Sequence, residues 1–268
     1  LERPWDLVEH NGELIERYFD SGAVEGDLSE DAVIRGSKER LYVGAGATVG
    51  METDEGFRGE VVIDTSEGPV IIDEGASVGV NTRITGPAYI GQETKVGAGD
   101  NAVIHEDTHI GDVARAGGEI EGVVMQSFSN KYHHGFLGDS VVGSWVNFGA
   151  GTTNSDLKNT YGDVKVDLPG VEGTESAGQF FGTVIGDHSK FGIGTNIFTG
   201  KLVGPVAQVR GDVTENTGSF AWLTDGKQDY DPERAREHAR RMMERREDEL
   251  PEGYIETQQE LLSRLEER

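Results

Sequence analysis

The sequence predicts a left-handed parallel β-helix, mainly β in class, with an N-terminal helical arm and C-terminal α-helices. Three observations carry the prediction. Aliphatic residues recur at every sixth position through Ile72, Val78, Ile84, Ile90 and Val96, then at Ile104 and Ile110, and again through Ile185, Phe191, Ile197, Val203 and Val209. Glycine follows many of them, and an Ala, Ser or Thr often stands two residues before the next. Neither the two-residue period of a half-buried strand nor the 3.6-residue period of a helix explains this spacing. Three flat runs of about six residues make a triangular coil, each run turning one aliphatic side chain inward, and small residues let the chain turn the corners. Shorter echoes are Val43 with Val49, and Phe136 with Val142 and Phe148.

Composition narrows the class further. Glycine supplies 39 of 268 residues, about twice the usual share of roughly 7%, but without the strict triplet period of collagen. Cysteine is absent, which excludes disulfides, thiolate metal sites and a cysteine nucleophile. No run of 18 apolar residues and no basic-then-apolar leader is present, so neither a membrane span nor a signal peptide is expected and the chain reads as cytoplasmic. Asp and Glu total 49 against 24 Lys and Arg, a formal net charge of −25, and only eight of the cations are lysine. Nucleic acid and anionic membranes are poor partners for that field. An acidic, lysine-poor surface suits high salt, where self-repulsion is screened within about 3 Å at ~1 M, so a halophilic source is expected.

Along the chain, residues 1–40 read as an arm and linker. Trp5, Leu7, Val8, Leu14, Ile15, Tyr18 and Phe19 share one helical side, interrupted at Asn11-Gly12, and residues 21–41 form an irregular acidic approach. The β-helix is expected over 41–215, with two interruptions outside it, at about 51–69 and about 153–182. Long insertions in a solenoid project from one corner and often border a binding site. Residues 216–268 change character: Asp231-Pro232 is an N-cap followed by proline at the first helical position. One helix to about 249 and a second after Pro251 are expected to cover the solenoid's open end.

Two glycine-rich strings are decoys. Gly194 to Lys201 resembles a phosphate loop, yet five residues separate its glycines and Leu202 stands where Ser or Thr must bind magnesium. Gly44-Ala-Gly46 lacks the strand, helix and downstream acid of a dinucleotide fold. No Gly-x-Ser-x-Gly elbow occurs, which disfavours a serine hydrolase.

Of the seven histidines, His133 stands apart by its surroundings, Ser129-Asn-Lys-Tyr-His-His-Gly-Phe-Leu-Gly-Asp139, running into Val142-Gly-Ser-Trp-Val-Asn-Phe-Gly-Ala-Gly-Thr152. This string resembles the acetyltransferase half of the bifunctional N-acetylglucosamine-1-phosphate uridyltransferase/glucosamine-1-phosphate acetyltransferases. Its wording, with the later Asn154-Ser-Asp-Leu-Lys-Asn159, is most similar to the alternative, shorter branch of sugar nucleotidyltransferases, and Arg3-Pro-Trp-Asp-Leu is similar to the linker after their nucleotidyltransferase domain. The resemblance spans about residues 1–215 and is strongest at 120–166.

That resemblance implies an acetyl-CoA-dependent N-acetyltransferase of nucleotide-sugar biosynthesis acting on an amino-sugar 1-phosphate of the glucosamine type. Acetyl-CoA is a co-substrate and no tightly bound cofactor or metal is implied. His133 matches the general base that takes the amine proton, a task suited to a neutral imidazole at pH 7. Asn147 matches a residue that holds the amino-sugar phosphate, and the backbone N–H of Ala150 matches a donor to the thioester oxyanion. Phe136 replaces the usual tyrosine, so one hydroxyl contact is missing. Asp156 replaces the usual asparagine and would repel a sugar phosphate unless Lys158 or Lys165 neutralises it; one of these lysines stands for the substrate lysine after the loop. The resemblance further implies a homotrimer with sites between subunits. The chain opens on Leu1 and these residues carry no nucleotidyltransferase signature; if the parent protein makes nucleotide sugars, that domain is expected before Leu1.

Charge points to the same region independently. Coenzyme A and a sugar phosphate are polyanions, and Lys131, Lys158 and Lys165 concentrate positive charge around His133, with Arg115, Lys190 and Lys201 on neighbouring coils. Two other functions compete. A zinc carbonic anhydrase type of β-helix needs three imidazoles, for which His105, His109, His133 and His134 are candidates. A non-catalytic oligomerisation or regulatory appendage of a sugar nucleotidyltransferase would tolerate Phe136 and Asp156.

Overall fold

Short strands separated by tight corners stack coil upon coil into three parallel sheets, the faces of a left-handed β-helix of about 10 turns. The structure is a computed structural model and describes residues 1–51, 59–97, 101–223, 227–246 and 252–266. The first face runs from Ala23–Val24 to Lys201–Val203, and the second from Asp27–Leu28 to Ala221–Leu223 with Lys227–Asp229 added antiparallel at its edge. The third face holds Val33–Arg35 to Phe136–Gly138 and continues through Thr153–Asn154, Asn196–Ile197 and Asp212–Val213.

The hexad aliphatics fill the interior in vertical register. Ile72 lies beside Ile90 and Ile90 beside Ile110 on the first face, while Ile63, Ile84, Ile104, Ile120 and Leu137 form one column on the third. All are buried in one continuous core. Each such side chain contributes roughly 1.5–3 kcal/mol when fully buried, and hydrogen bonds between coils satisfy the strand backbones, as where Gly44 N donates to Ile72 O at 2.8 Å.

Five expectations change. The solenoid begins one coil before Leu41, because Ala23 and Val24 pair with Tyr42 and Val43, and it runs past 215, because Gln208 and Val209 pair with Trp222 and Leu223. Val61–Asp64 lies inside the third face, with Val61 and Ile63 fully buried, so this part of the expected first interruption belongs to the core; residues 52–58 of it lie outside the described residues. At the Phe136 echo, Leu137 turns inward and Phe136 outward, the corner before it having shifted the register by one residue. The last concerns the C-terminal tail.

Helix α3 (Pro232–Glu244) and helix α4 (Tyr254–Glu266) lie along the corner between the first and second faces instead of across the open end. The cause is in that corner. After the first coil, each turns it through one residue with positive φ: Gly46, Gly75 and Glu93 in the lower coils, then Val113, Phe128, Trp145, His188, Val206 and Phe220. Outside glycine this conformation is strained, most of all for a β-branched valine, and here it projects a column of large apolar side chains outward. Ala235, Ala239 and Met243, spaced by four on α3, cover that column with Trp145, Val206 and Tyr230 in one cluster.

Helix α1 (Pro4–Glu9) and helix α2 (Asn11–Tyr18) form the expected two-part arm. Trp5 meets Phe181 edge-on at 5.7 Å, and Val8 packs with Val164, Val166 and Phe181 over Val141, Val184 and Leu202 on the outside of the first face. The second insertion is therefore a flap: Lys165–Val166 pairs antiparallel with Glu175–Ser176 and the hairpin lies under the arm, tied by an Arg3–Glu175 ion pair.

Candidate active site

The corner between the second and third faces carries the predicted histidine. The strand Asn130–Lys131 ends, Tyr132, His133, His134 and Gly135 turn the corner, and Phe136–Gly138 resumes on the next face. Gly135 has φ +124° and a Cβ there would lie 2.1 Å from Thr152 O, so only glycine lets this turn rest on the coil above. Both imidazoles are exposed, with the Tyr132 ring edge-on to His133 at 5.5 Å.

One coil above, the turn Gly149-Ala150-Gly151 follows Asn147–Phe148. Gly149 N–H donates to Phe191 O at 2.9 Å and Gly151 N–H to His134 O at 3.1 Å, whereas the Ala150 N–H between them donates to no acceptor among the described residues. His134 is the imidazole nearest this turn, its Nε2 3.4 Å from where a Cβ on Gly151 would stand, and His133 is exposed on the same corner one coil below; an exposed imidazole can accept a proton and an unspent backbone N–H is a fixed dipole suited to an oxyanion. Asn147 and Asn130 stand outward on the second face, with Asn130 Nδ2 donating to Asn147 Oδ1 at 2.8 Å. Asn147 precedes Ala150 by three residues, a reach of about 10 Å along extended chain.

Lys131 has a different place from the one its charge suggested. It occupies an inward core position above Ala116 and is fully buried. Its ammonium donates to His133 O at 2.7 Å, Gly135 O at 3.1 Å and Gly117 O at 3.4 Å. Burial pushes its pKa down to about 8. Lys131 thus braces the turn that presents His133 from inside the solenoid.

Phe136 faces outward on the third face, its N–H donating to Thr153 Oγ1 at 3.3 Å. Asp156 lies beyond it and hydrogen-bonds with Asp139, so the partner of Asp156 is a second carboxyl group and not the expected lysine. Burial, then the charges of Asp156 and Glu121, push the Asp139 carboxyl up to about 7. Lys158 donates to Asp163 O at 3.1 Å within the insertion, and Lys165 is exposed on the hairpin over the first face. Within one chain, then, His133, Phe136, Asn147 and Ala150 gather near one corner, and Lys158 and Lys165 stand on the other side of the coil.

The imidazoles that a zinc site would need are dispersed. His105 reaches Glu119 at 3.1 Å, His109 stacks on Tyr89 at 4.8 Å with burial lowering its pKa, and His133 and His134 share the corner described. No group of three or more His, Cys, Asp or Glu side chains among the described residues could hold a metal ion, nor is any helix among them long and apolar enough to cross a membrane. Sequence reasoning missed Arg245 and Arg246, which the fold brings beside Arg115 and Asn147 in one cleft; nothing in their spacing connects them to residues a hundred positions earlier.

No protein-family profile matches the chain. It is 35% identical over 105 residues to the bifunctional protein GlmU of Methanococcus vannielii, covering 39% of this chain and 24% of that protein. It is 34% identical over 146 residues to the bifunctional sugar-1-phosphate nucleotidylyltransferase/acetyltransferase of Sulfurisphaera tokodaii, covering 53% and 35%. A longer match, 28% over 226 residues, joins it to the bifunctional protein GlmU of Carboxydothermus hydrogenoformans, covering 76% and 45%. The Arabidopsis UDP-N-acetylglucosamine acyltransferase structure overlays 80% of this chain and 75% of its own at 13% identity, with a TM-score of 0.30 that is too low to bear on function. The matched part spans less than half the length of these curated relatives. By these matches the chain is similar to part of the bifunctional sugar-1-phosphate nucleotidylyltransferase/acetyltransferases.

Proposed function

We propose that the chain is an acetyltransferase that moves the acetyl group of acetyl-CoA to the amine of an amino-sugar 1-phosphate. One observation carries the reading: His133 is exposed on the corner directly below the turn whose Ala150 N–H donates to no acceptor among the described residues. The amine attacks the thioester carbonyl, forming a C–N bond, while His133 accepts the proton the nitrogen sheds. The oxyanion of the tetrahedral intermediate sits on the Ala150 N–H. Its collapse breaks the C–S bond, and the proton on His133 passes to the departing thiolate, leaving coenzyme A as the thiol. Phe136 supplies an apolar wall to the sugar, and Asn147 a carboxamide to its phosphate.

The working unit in this reading is a homotrimer. Lys158 and Lys165 lie across the coil from their own His133, and a neighbour set against the corner is positioned to lend them. Mixing His133→Ala subunits with Lys165→Ala subunits tests this: recovered activity is expected if the two residues come from different chains, and none if they act within one.

The test of function is acetyl transfer by the wild-type chain, read as thiol release and as product mass, with glucosamine 1-phosphate and galactosamine 1-phosphate at both low and molar salt. Transfer to neither acceptor would put a non-catalytic appendage in place of the enzyme.

A further inference from the structure

In a chain with twice as many acids as bases, a cleft with no carboxylate among its described lining residues is the exception. One lies between the second face and the C-terminal end of α3. It has a volume of about 280 Å³, and its polar lining is Arg115, Arg245, Arg246, Asn130 and Asn147, the rest being apolar. The cleft on the opposite side, under the arm, has the reverse character, with Glu9, Glu106, Asp107, Glu121 and Asp139 and no cation among its described lining residues. The contrast continues along α3: Arg240 and Arg241 pair with Glu237, while Arg115 and Arg245 have no carboxylate partner among the described residues. Arg246 is held in place, its Nη1 donating to Val113 O at 2.5 Å and its guanidinium 5.9 Å from the Trp145 ring centre.

Guanidinium groups with no carboxylate partner among the described residues, as those of Arg115 and Arg245 are, invite an external anion, and their fixed fork of donors suits phosphate oxygens. The floor of the cleft adds the two carboxamides. Asn147 accepts from Asn130 and keeps its own NH₂ for a ligand. We propose that this cleft binds the phosphate groups of a phosphorylated ligand, with Arg115 from the solenoid and Arg245 and Arg246 just past the C-terminal end of α3 as the anion contacts. The proposal rests on the acetyltransferase reading for the ligand's identity. Asn130 and Asn147 each lie three residues before the corner residues His133 and Ala150, about 10 Å of extended chain, so a ligand anchored here reaches the reacting atoms. Both the amino-sugar phosphate and the phosphates of coenzyme A carry this chemistry.

The experiment separates the two sources and keeps this proposal distinct from the function. Arg115→Gln and Arg245→Gln are compared with wild type and with Arg241→Gln, whose side chain pairs on the outer side of α3. Calorimetric titration with inorganic phosphate, glucosamine 1-phosphate and adenosine 3′,5′-bisphosphate, at about 0.1 M salt so that charge is not fully screened, is run beside steady-state kinetics. The expected result is a weakening of about tenfold or more for one of the two organic ligands in both cleft variants, a matching rise in KM for its parent substrate, and no change in Arg241→Gln. A shift in the sugar-phosphate arm assigns the cleft to the acceptor, and one in the bisphosphate arm to the coenzyme. Affinities within twofold of wild type in both arms overturn the proposal even if acetyl transfer is robust. If wild type transfers no acetyl group but binds a phosphate ligand that the cleft variants lose, the function falls and the site stands. Circular dichroism and melting of the variants exclude loss of fold as the cause.

Discussion

Two lysine–histidine pairs sit at different corners of the same coil stack, and they are built alike. Lys131 donates to the backbone carbonyl of His133, two residues on; Lys190 donates to the carbonyl of His188, two residues back, at 2.8 Å and to Trp145 O at 2.6 Å. In each pair the ammonium holds a corner from the neighbouring strand. The difference is what lies outside. His133 is exposed, while His188 is stacked under Trp145 at 6.2 Å and closed in by α3 and α4, with Gln258 at 3.4 Å. Burial, with the nearby Lys190 charge, pushes His188 down to about 3, and burial pushes Lys190 down to about 7. The same device serves two ends: an open corner leaves its imidazole exposed to solvent, and a covered one locks the C-terminal helices to the solenoid.

That contrast breaks most sharply at the imidazoles. His133→Ala is expected to lower kcat by about 10²-fold or more, with the melting temperature nearly unchanged because the side chain is exposed. His134→Ala should cost far less. His188→Ala should behave in the opposite way, leaving kcat within a few-fold and destabilising the fold by about 1–3 kcal/mol, the scale of losing a buried, stacked polar side chain. Equal kinetic losses at His133 and His134, or full activity without His133, would remove the base from its assigned place.

The lysines give a smaller and more diagnostic effect. Lys131→Met keeps the stem and removes the donors, leaving corner carbonyls buried without partners at a cost of about 1–3 kcal/mol. It should also lower kcat by about tenfold, since the turn carrying His133 loses its brace. Lys190→Met should lose comparable stability and no kcat. The pH dependence has a definite sign. An unfolded lysine stays protonated to about 10.4, whereas the folded pKa values are near 8 and 7. Between those limits the unfolded state binds more protons, so these two groups make stability rise with pH. Chemical denaturation of wild type at pH 7, 8 and 9.5 should show that rise, and each methionine variant should flatten it. A steeper rise in the variants would mean that the ammonium groups are not buried as described.

How much of this could be read beforehand follows from the same physics. The hexads were legible wherever a coil has neighbours above and below, because there nearly every inward position is apolar, Lys131 being an exception. The first coil, Ala23 to Arg35, was not: its Val24 is exposed and its Leu28 and Ile34 are only partly buried, so an end coil with one neighbour bears a weaker pattern. Phe136 read as an inward hexad because register slips at a corner leave no trace in composition. His133 and Ala150 were visible through motif spacing. The role of Lys131 was not, since a lysine in a core column is indistinguishable by charge from one on the surface. The corner column, from Val113 to Phe220, was also hidden: its spacing follows the coil length, which varies with each insertion.

The smallest expected effect concerns the third corner, between the third and first faces, where Asp139 faces Asp156 and Glu121 under the arm. There the shift runs the other way from the lysines. Burial and neighbouring carboxylates hold the Asp139 pKa up to about 7, against about 3.9 when unfolded. Between these values the folded state binds more protons, so this group makes stability fall as pH rises. Asp139→Asn replaces the protonated carboxyl by a neutral side chain that still donates toward Asp156. At pH 4 it should melt with wild type, and at pH 8 about 2 °C above it, a modest gain because water reaches part of the group and screens the repulsion. Salt should shrink the difference, as it must for repulsion between carboxylates. An Asn variant that melts lower than wild type at pH 8 would mean that Asp139 is charged and paired there, and that this corner, like the one at His188, is held by its polar contacts and not opposed by them.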